Sequence, residues 1–146
     1  MFYGQARHTI DQKGRVILPS KYRDKLGESF FVLRGFEKCL FVYAENEFRE
    51  LEEKIKALPS SNDGGFLQRF IFNYTEQVTP DKQGRVILAQ HLRDYAGLNG
   101  EANTEVIITG ASSRVEIWSV AEYEGYEQKS TDDPDRLAKI LEIFNI

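Results

Sequence analysis

Cysteine and histidine are nearly absent from this chain. The single cysteine, Cys39, rules out a disulfide framework within one molecule. It sits in the apolar run Cys39-Leu40-Phe41-Val42-Tyr43 and reads as a buried strand thiol rather than a nucleophile. His8 and His91 are the only histidines, and no Ser-His-Asp, Cys-His or metal-ligand spacing surrounds them. Paired carboxylates such as Glu52-Glu53 fall on a helix face that is more simply solvated. No catalytic residue, metal ligand or cofactor is therefore expected, and the chain does not read as an enzyme. Long hydrophobic runs are missing too: none approaches the roughly 18 residues needed to span a bilayer. The N-terminus shows no charged-then-apolar leader. The expectation is a soluble, cytoplasmic protein with no membrane partner and no small-molecule substrate.

What is present is enough for one domain or two small half-domains, with 146 residues of which 41% are hydrophobic. The net charge of −4 argues against coating nucleic acid by bulk attraction, but it is unevenly spread. Residues 1–25 carry six basic side chains (Arg7, Lys13, Arg15, Lys21, Arg23, Lys25) against two acidic ones. Residues 121–146 carry seven acidic side chains against three basic ones. That asymmetry suggests a basic working face and an acidic remainder.

The strongest internal signal is a repeat. DQKGRVILP begins at Asp11 and DKQGRVILA at Asp81, and self-similarity at a long period implies a duplicated unit. The likeness continues outward. Short helices closed by Gly27 and Gly97 follow each motif, with Tyr22 and Leu26 matched by Leu92 and Ala96. The second copy then holds about five extra residues around Asn99-Gly100. Beyond them Val32-Leu33-Arg34-Gly35 aligns with Ile107-Ile108-Thr109-Gly110, and Leu40 to Tyr43 with Val115 to Trp118, as two hairpins. A helix should follow each hairpin: Glu45 to Leu58, ended by Pro59, and one opened by the capping box Ser119-Val120-Ala121-Glu122. The polar stretch Ser60 to Gly65 marks the boundary between halves, and a further helix runs from Phe66 with Leu67, Phe70, Ile71 and Tyr74 on one side. Asp133-Pro134 opens a last helix whose stripe of Leu137, Ile140, Leu141 and Phe144 suits docking on a neighbour. The units are residues 1–60, a first repeat; 61–74, linker and helix; 75–127, a second repeat; and 128–146, a C-terminal helix.

Each motif has a local geometry. A strand enters Asp11 or Asp81 and another leaves Gly14 or Gly84, so Asp-x-x-Gly reads as a type I turn with its glycine in the left-handed position and its carboxylate accepting from turn amides. Arg15 and Arg85 then either pair with the turn aspartate or are presented to a nucleic acid, and the two roles are compatible. Arg suits guanine O6 and N7, Gln suits adenine, and Lys suits phosphate. The neighbouring Gln12, Lys13, Lys82 and Gln83 are candidates on that ground, and Arg7 belongs to the same basic segment.

Taken with Phe2-Tyr3-Gly4, His8-Thr9-Ile10-Asp11, Lys13-Gly14-Arg15, Leu18-Pro19, Asp81 to Arg85, Leu92 to Leu98 and Glu116-Ile117-Trp118, the chain resembles the MraZ family over nearly its whole length. MraZ proteins carry two Asp-x-x-x-Arg motifs and are similar in fold to AbrB and MazE domains. The resemblance implies an α+β fold: a double swapped-hairpin β-barrel of two tandem repeats, intertwined about a pseudo-twofold axis, with surrounding helices. On that arrangement partner strands from the other repeat would bury Ile17, Val32 and Phe41. It also implies a ring-shaped homo-oligomer that binds short guanine-containing direct repeats in its own promoter and regulates the division and cell-wall gene cluster, placing it at the nucleoid. Asp11, Arg15, Asp81 and Arg85 stand at the family's motif positions, with Gly14 and Gly84 shaping the turns. Two departures stand out. Ala89 replaces Pro19, and Pro80 replaces Ile10, where it should shift the second turn and weaken its reading of DNA. The rival class is an oligomeric protein-binding scaffold or antitoxin-like module on the same fold.

Overall fold

A computed structural model describes residues 1–100 and 103–146. Each copy of the repeat forms two strands, a helix, a hairpin and two further helices. The first copy holds β1 (Gln5–Ile10), β2 (Arg15–Ile17), α1 (Ser20–Leu26), β3 (Phe30–Arg34), β4 (Leu40–Ala44), α2 (Glu45–Lys56) and α3 (Asn62–Phe72). The second holds β5 (Glu76–Val78), β6 (Arg85–Ile87), α4 (Gln90–Ala96), β7 (Thr104–Gly110), β8 (Val115–Ser119), α5 (Val120–Thr131) and α6 (Pro134–Ile143). Of the extra residues in the second copy, Glu101 and Ala102 lie outside the described residues.

The strands form one antiparallel sheet in the order β5-β3-β4-β8-β7-β1-β2-β6. The first strand of each copy pairs inside the other copy: β1 runs along β7 from Gln5↔Thr109 to Ile10↔Thr104, and β5 pairs with β3 from Phe30↔Val78 to Val32↔Glu76. Equivalent strands meet across the pseudo-twofold axis, β2 with β6 and β4 with β8. This is the swapped-hairpin arrangement, α+β with a nearly closed barrel. Among the described residues the sheet's ends, β5 and β6, share no ladder. Pro80 accounts for part of that difference. Its counterpart Ile10 pairs with Thr104 and Val16, whereas a proline has no amide to extend a ladder, and β5 stops at Val78.

Two apolar layers hold the barrel. Its interior is filled by Ile10, Val16, Leu18, Phe30, Val86, Leu88 and Ile108, and closed by Tyr22 and Leu26 of α1 and Leu92 and Ala96 of α4. A second layer lies outside the sheet beneath α2, α3 and α5, where Phe31, Phe41, Tyr43, Ile107 and Trp118 meet Phe48, Ile55 and Ile71. Phe31 stacks on Phe48 at 4.1 Å. Strands β3 and β4 are thus covered on both faces, which is why they read as continuous apolar runs rather than alternating ones. β2 and β6 alternate, and here an expectation fails. Val32 and Phe41 are buried, but Ile17 is 42% exposed. Successive strand side chains face opposite ways, so with Val16 and Leu18 inside, Ile17 must point out with Arg15.

Helix ends differ from the sequence reading at α2, which stops at Lys56 rather than Leu58, and at α3. α3 starts at Asn62, inside the polar stretch that read as a linker. A Cβ on Gly64 or Gly65 would lie 2.0 Å from the Pro59 carbonyl oxygen or 2.2 Å from that of Ser60, so these glycines let the first helical turn close against the preceding chain. α5 runs to Thr131. Its N-terminus is capped by the serine of its box, Glu122 N donating to Ser119 Oγ at 3.1 Å, and Asp133 caps α6 by accepting from Asp135 N at 3.2 Å. α6 buries none of its residues.

Candidate nucleic-acid interface

Both motif turns close in the same way. In the first, Gly14 N donates to Asp11 O at 3.0 Å and Asp11 N to Arg15 O at 3.1 Å, with Gly14 at φ +83°. Asp11 Oδ1 accepts from Lys13 N at 3.0 Å and Arg15 N at 2.9 Å, and its Oδ2 accepts from Arg15 Nε at 2.6 Å. The second turn repeats this set with Asp81, Gln83, Gly84 and Arg85. Gln83 N and Arg85 N each donate to Asp81 Oδ1 at 2.9 Å, and Arg85 Nε donates to Oδ2 at 2.7 Å. Pro80 therefore leaves the second turn unchanged, contrary to expectation: its missing amide affects the strand behind the turn, while the turn is held by its own aspartate. Ala89 likewise holds the same extended backbone as Pro19 ahead of its helix.

The carboxyls of Asp11 and Asp81 are held below the ordinary carboxylate range, first by the backbone amide of Arg15 or Arg85 and also by the guanidinium. Each aspartate thus uses Nε to fix one edge of its arginine. The terminal Nη atoms of Arg15 and Arg85 have no hydrogen-bond partner among the described residues. An oriented guanidinium whose two Nη groups have no partner among the described residues is suited to a bidentate acceptor.

The pairing of β2 with β6 brings the two arginines together. Arg15 lies opposite Ile87, Val16 opposite Val86, and Ile17 opposite Arg85. Since both valines face inward, both arginines face outward. A shallow groove beside them is lined by His8, Thr9, Asp11, Arg15, Ile17, Arg85 and Asn103. The four residues Gln12, Lys13, Lys82 and Gln83 occupy the exposed tips of the turns. Arg7 does not join them: its guanidinium is taken by Glu105 at 2.7 Å and Glu124 at 3.7 Å. Glu105 lies diagonally across from it on β7, opposite Thr9, and could not be placed without knowing the strand register.

Two arginines that the motif reading passed over complete the site. Arg93 of α4 lies against Gly14, where an added Cβ would come within 2.7 Å of its Nε, and Arg23 of α1 lies against Gly84, where the distance to Nη1 would be 2.0 Å. Each repeat's helix thus braces the other repeat's turn, and Leu88 N also donates to Gly14 O at 2.8 Å. Arg93 donates to Leu88 O and Gln90 Oε1, whereas the buried Nε of Arg23 has no partner among the described residues. Their equal offset within the two copies was a signal in the sequence.

Elsewhere the chemistry is spent internally. Burial pushes the Cys39 thiol up to about 12, so it stays protonated. His91 Nε2 meets Glu76 Oε1 at 2.8 Å. Among the described residues no group of three His, Cys, Asp or Glu side chains could hold a metal ion, and no helix is long and apolar enough to cross a membrane.

Comparison with known proteins identifies the family. The model of the MraZ protein family, described as antitoxin-like, matches residues 1–65 and 71–139. The chain belongs to the MraZ family. Each matched segment contains one motif turn. The transcriptional regulator MraZ of Natranaerobius thermophilus is 42% identical over the full length of both chains. That of Acetivibrio thermocellus is 40% identical, again over both full lengths. That of Carboxydothermus hydrogenoformans is 46% identical over 86% of each chain. MraZ relatives are thus named as regulators of transcription, which is not an enzyme class.

Proposed function

We propose that the protein is a sequence-specific DNA-binding regulator of transcription. It binds short guanine-containing direct repeats in its own promoter and controls the division and cell-wall gene cluster from the nucleoid. The observation that carries this reading is the paired presentation of Arg15 and Arg85. Two turns of the same construction, joined by the β2–β6 ladder, aim two guanidinium groups with free Nη donors out of one face. Guanine O6 and N7 in the major groove form the matching acceptor pair. Lys13 and Lys82 at the turn tips meet phosphates, Gln12 and Gln83 contact the flanking bases or backbone, and Asp11 and Asp81 orient the arginines.

One chain of net charge −4 offers a small basic surface, so firm binding comes from several copies engaging several repeats at high effective concentration. The exposed apolar residues of α6, Leu137, Ile143 and Phe144, suit self-association into a closed ring. The same helix face is what an oligomeric scaffold or antitoxin-like module would use, and that second reading requires no DNA. The experiment that separates them is a binding titration of the full chain on the DNA upstream of its own coding sequence and on a scrambled duplex. Specific binding lost in Arg15→Ala supports the regulator; equal, weak binding to both duplexes supports the scaffold.

A further inference from the structure

The reading face carries something besides arginine. The β2–β6 register makes a rectangle of four outward side chains, with Arg15 and Arg85 on one diagonal and Ile17 and Ile87 on the other. Ile17 is 42% exposed and Ile87 65%. A solvated strand face takes polar residues at such places. Single exposed apolar residues are ordinary, but here both copies place an isoleucine at the same point, each flanked by both guanidinium groups.

We infer that Ile17 and Ile87 read the 5-methyl group of thymine beside the guanines held by Arg15 and Arg85. This rests on the proposed DNA binding and adds to it an apolar component of specificity. Dimensions support it. Facing strands lie about 4.8 Å apart, and residues two apart on a strand are separated by about 6.7 Å, close to two base-pair steps of about 3.4 Å each. A two-stranded ribbon fits the major groove, where thymine alone among the four bases carries a methyl group. Charge selects the occupant. The isoleucines are flanked by Arg15 and Arg85, with the lysines at the tips of the two turns, while Asp11 and Asp81 are already engaged with turn amides and guanidinium. Such a surface complements a polyanion with methyl groups in its groove better than an apolar protein face, which would leave the guanidinium groups without planar acceptors, or an acidic one, whose carboxylates would leave the isoleucines without an apolar partner.

Replacing thymine by deoxyuridine deletes the methyl group and nothing else. The duplex is the DNA upstream of the chain's own coding sequence, with each thymine replaced in turn, titrated with the full-length protein and with Ile17→Ala and Ile87→Ala. At one or more positions deoxyuridine should weaken wild-type binding about fourfold, the effect of one buried methyl group. The matching isoleucine variant should show the same loss and no further loss with deoxyuridine. If every deoxyuridine duplex binds as tightly as its parent and both variants bind normally, the inference is overturned, while loss of binding in Arg15→Ala still upholds the DNA reading. If the variants instead change the molar mass of the assembly by light scattering, the isoleucines are a protein contact and the inference also falls. A wild-type protein that does not distinguish upstream from scrambled DNA overturns both.

Discussion

Arg23 of the first repeat lies against Gly84 of the second, so near that a Cβ on the glycine would come within 2.0 Å of its Nη1. Gly84 is thus required twice, by its backbone at φ +78° and by the side chain packed on it. Arg93 and Gly14 repeat the relationship in reverse, which makes each turn a product of both repeats.

Gly84→Ala should therefore destabilise the protein by more than the roughly 1–2 kcal/mol of a left-handed alanine, because the guanidinium must also move. Gly97→Ala is the control: its backbone is left-handed, with φ +69° and ψ 36°, but nothing lies within 4 Å of the added Cβ. Denaturant melts of both variants check this. Equal losses would show that Arg23 yields freely and does not brace the turn.

Interlocked strands carry a second expectation. Residues 1–60 contain β1 and β3 without β7 and β5, their partners in the intact chain. The fragment should not fold alone as a monomer. Circular dichroism and thermal melting test it, and a cooperative melt from a monomeric fragment would contradict the swapped arrangement.

Assembly through α6 is tested by Ile143→Glu with Phe144→Glu. Both side chains are well exposed, 74% and 67%, so monomer stability should change little while light scattering reports a smaller species. Affinity for a duplex with several repeats should then drop toward that for a duplex with one, because the linked binding events disappear. An unchanged mass would place the self-association on another face.

How much was legible in the sequence depended on how local the cause was. Asp-x-x-Gly specifies its turn through neighbours in sequence, so the bonds from Lys13, Gln83 and the two arginines came out as read. The swapped barrel followed from family resemblance, since which strand pairs with which is a property of the whole chain. Ile17 was misplaced because its apolar character spoke for the core, whereas strand alternation and the buried Val16 and Leu18 turn it outward. Gly64 and Gly65 looked like a linker because their close approach to Pro59 and Ser60 exists only once α3 has formed. Arg7 grouped with the DNA-contacting candidates by its basic segment, because Glu105 and Glu124, which engage it, are about a hundred residues away.

The turn aspartates set a pH dependence with a definite sign. Their carboxyls are held below the ordinary value of 3.8, so what they contribute is present above that value and is lost as pH falls through the lower native one. Between pH 5 and 8 they should cause no change in turn structure, and a carbon chemical-shift titration of the two carboxyls should show midpoints below 3.8. Asp11→Asn imitates the protonated state at neutral pH. It should weaken specific DNA binding several-fold by releasing Arg15, with a smaller effect on binding to scrambled DNA, and a normal melt would show that the loss is one of orientation.

Base reading and charge attraction are separable by substitution. Arg15→Ala removes the Nη donors and should abolish or severely weaken binding to upstream DNA, since one bidentate guanine interaction is worth about 1–3 kcal/mol and an assembly forfeits it in every copy. Arg85→Ala should behave alike, because the second turn has the same bonds as the first. Lys13→Ala should instead weaken binding to upstream and scrambled duplexes equally. Each phosphate that the lysine no longer neutralises should lower the slope of log affinity against log salt by about 0.9. The melting midpoint should hardly move in Lys13→Ala, whose exposed side chain has no partner among the described residues. Titrations of the three variants at several salt concentrations, with oligomer mass as control, decide the matter. If Arg15→Ala binds upstream DNA normally, or fails to bind only because the assembly dissociates, the arginine serves only to close its turn with Asp11. The regulator would then have to read DNA with some other face.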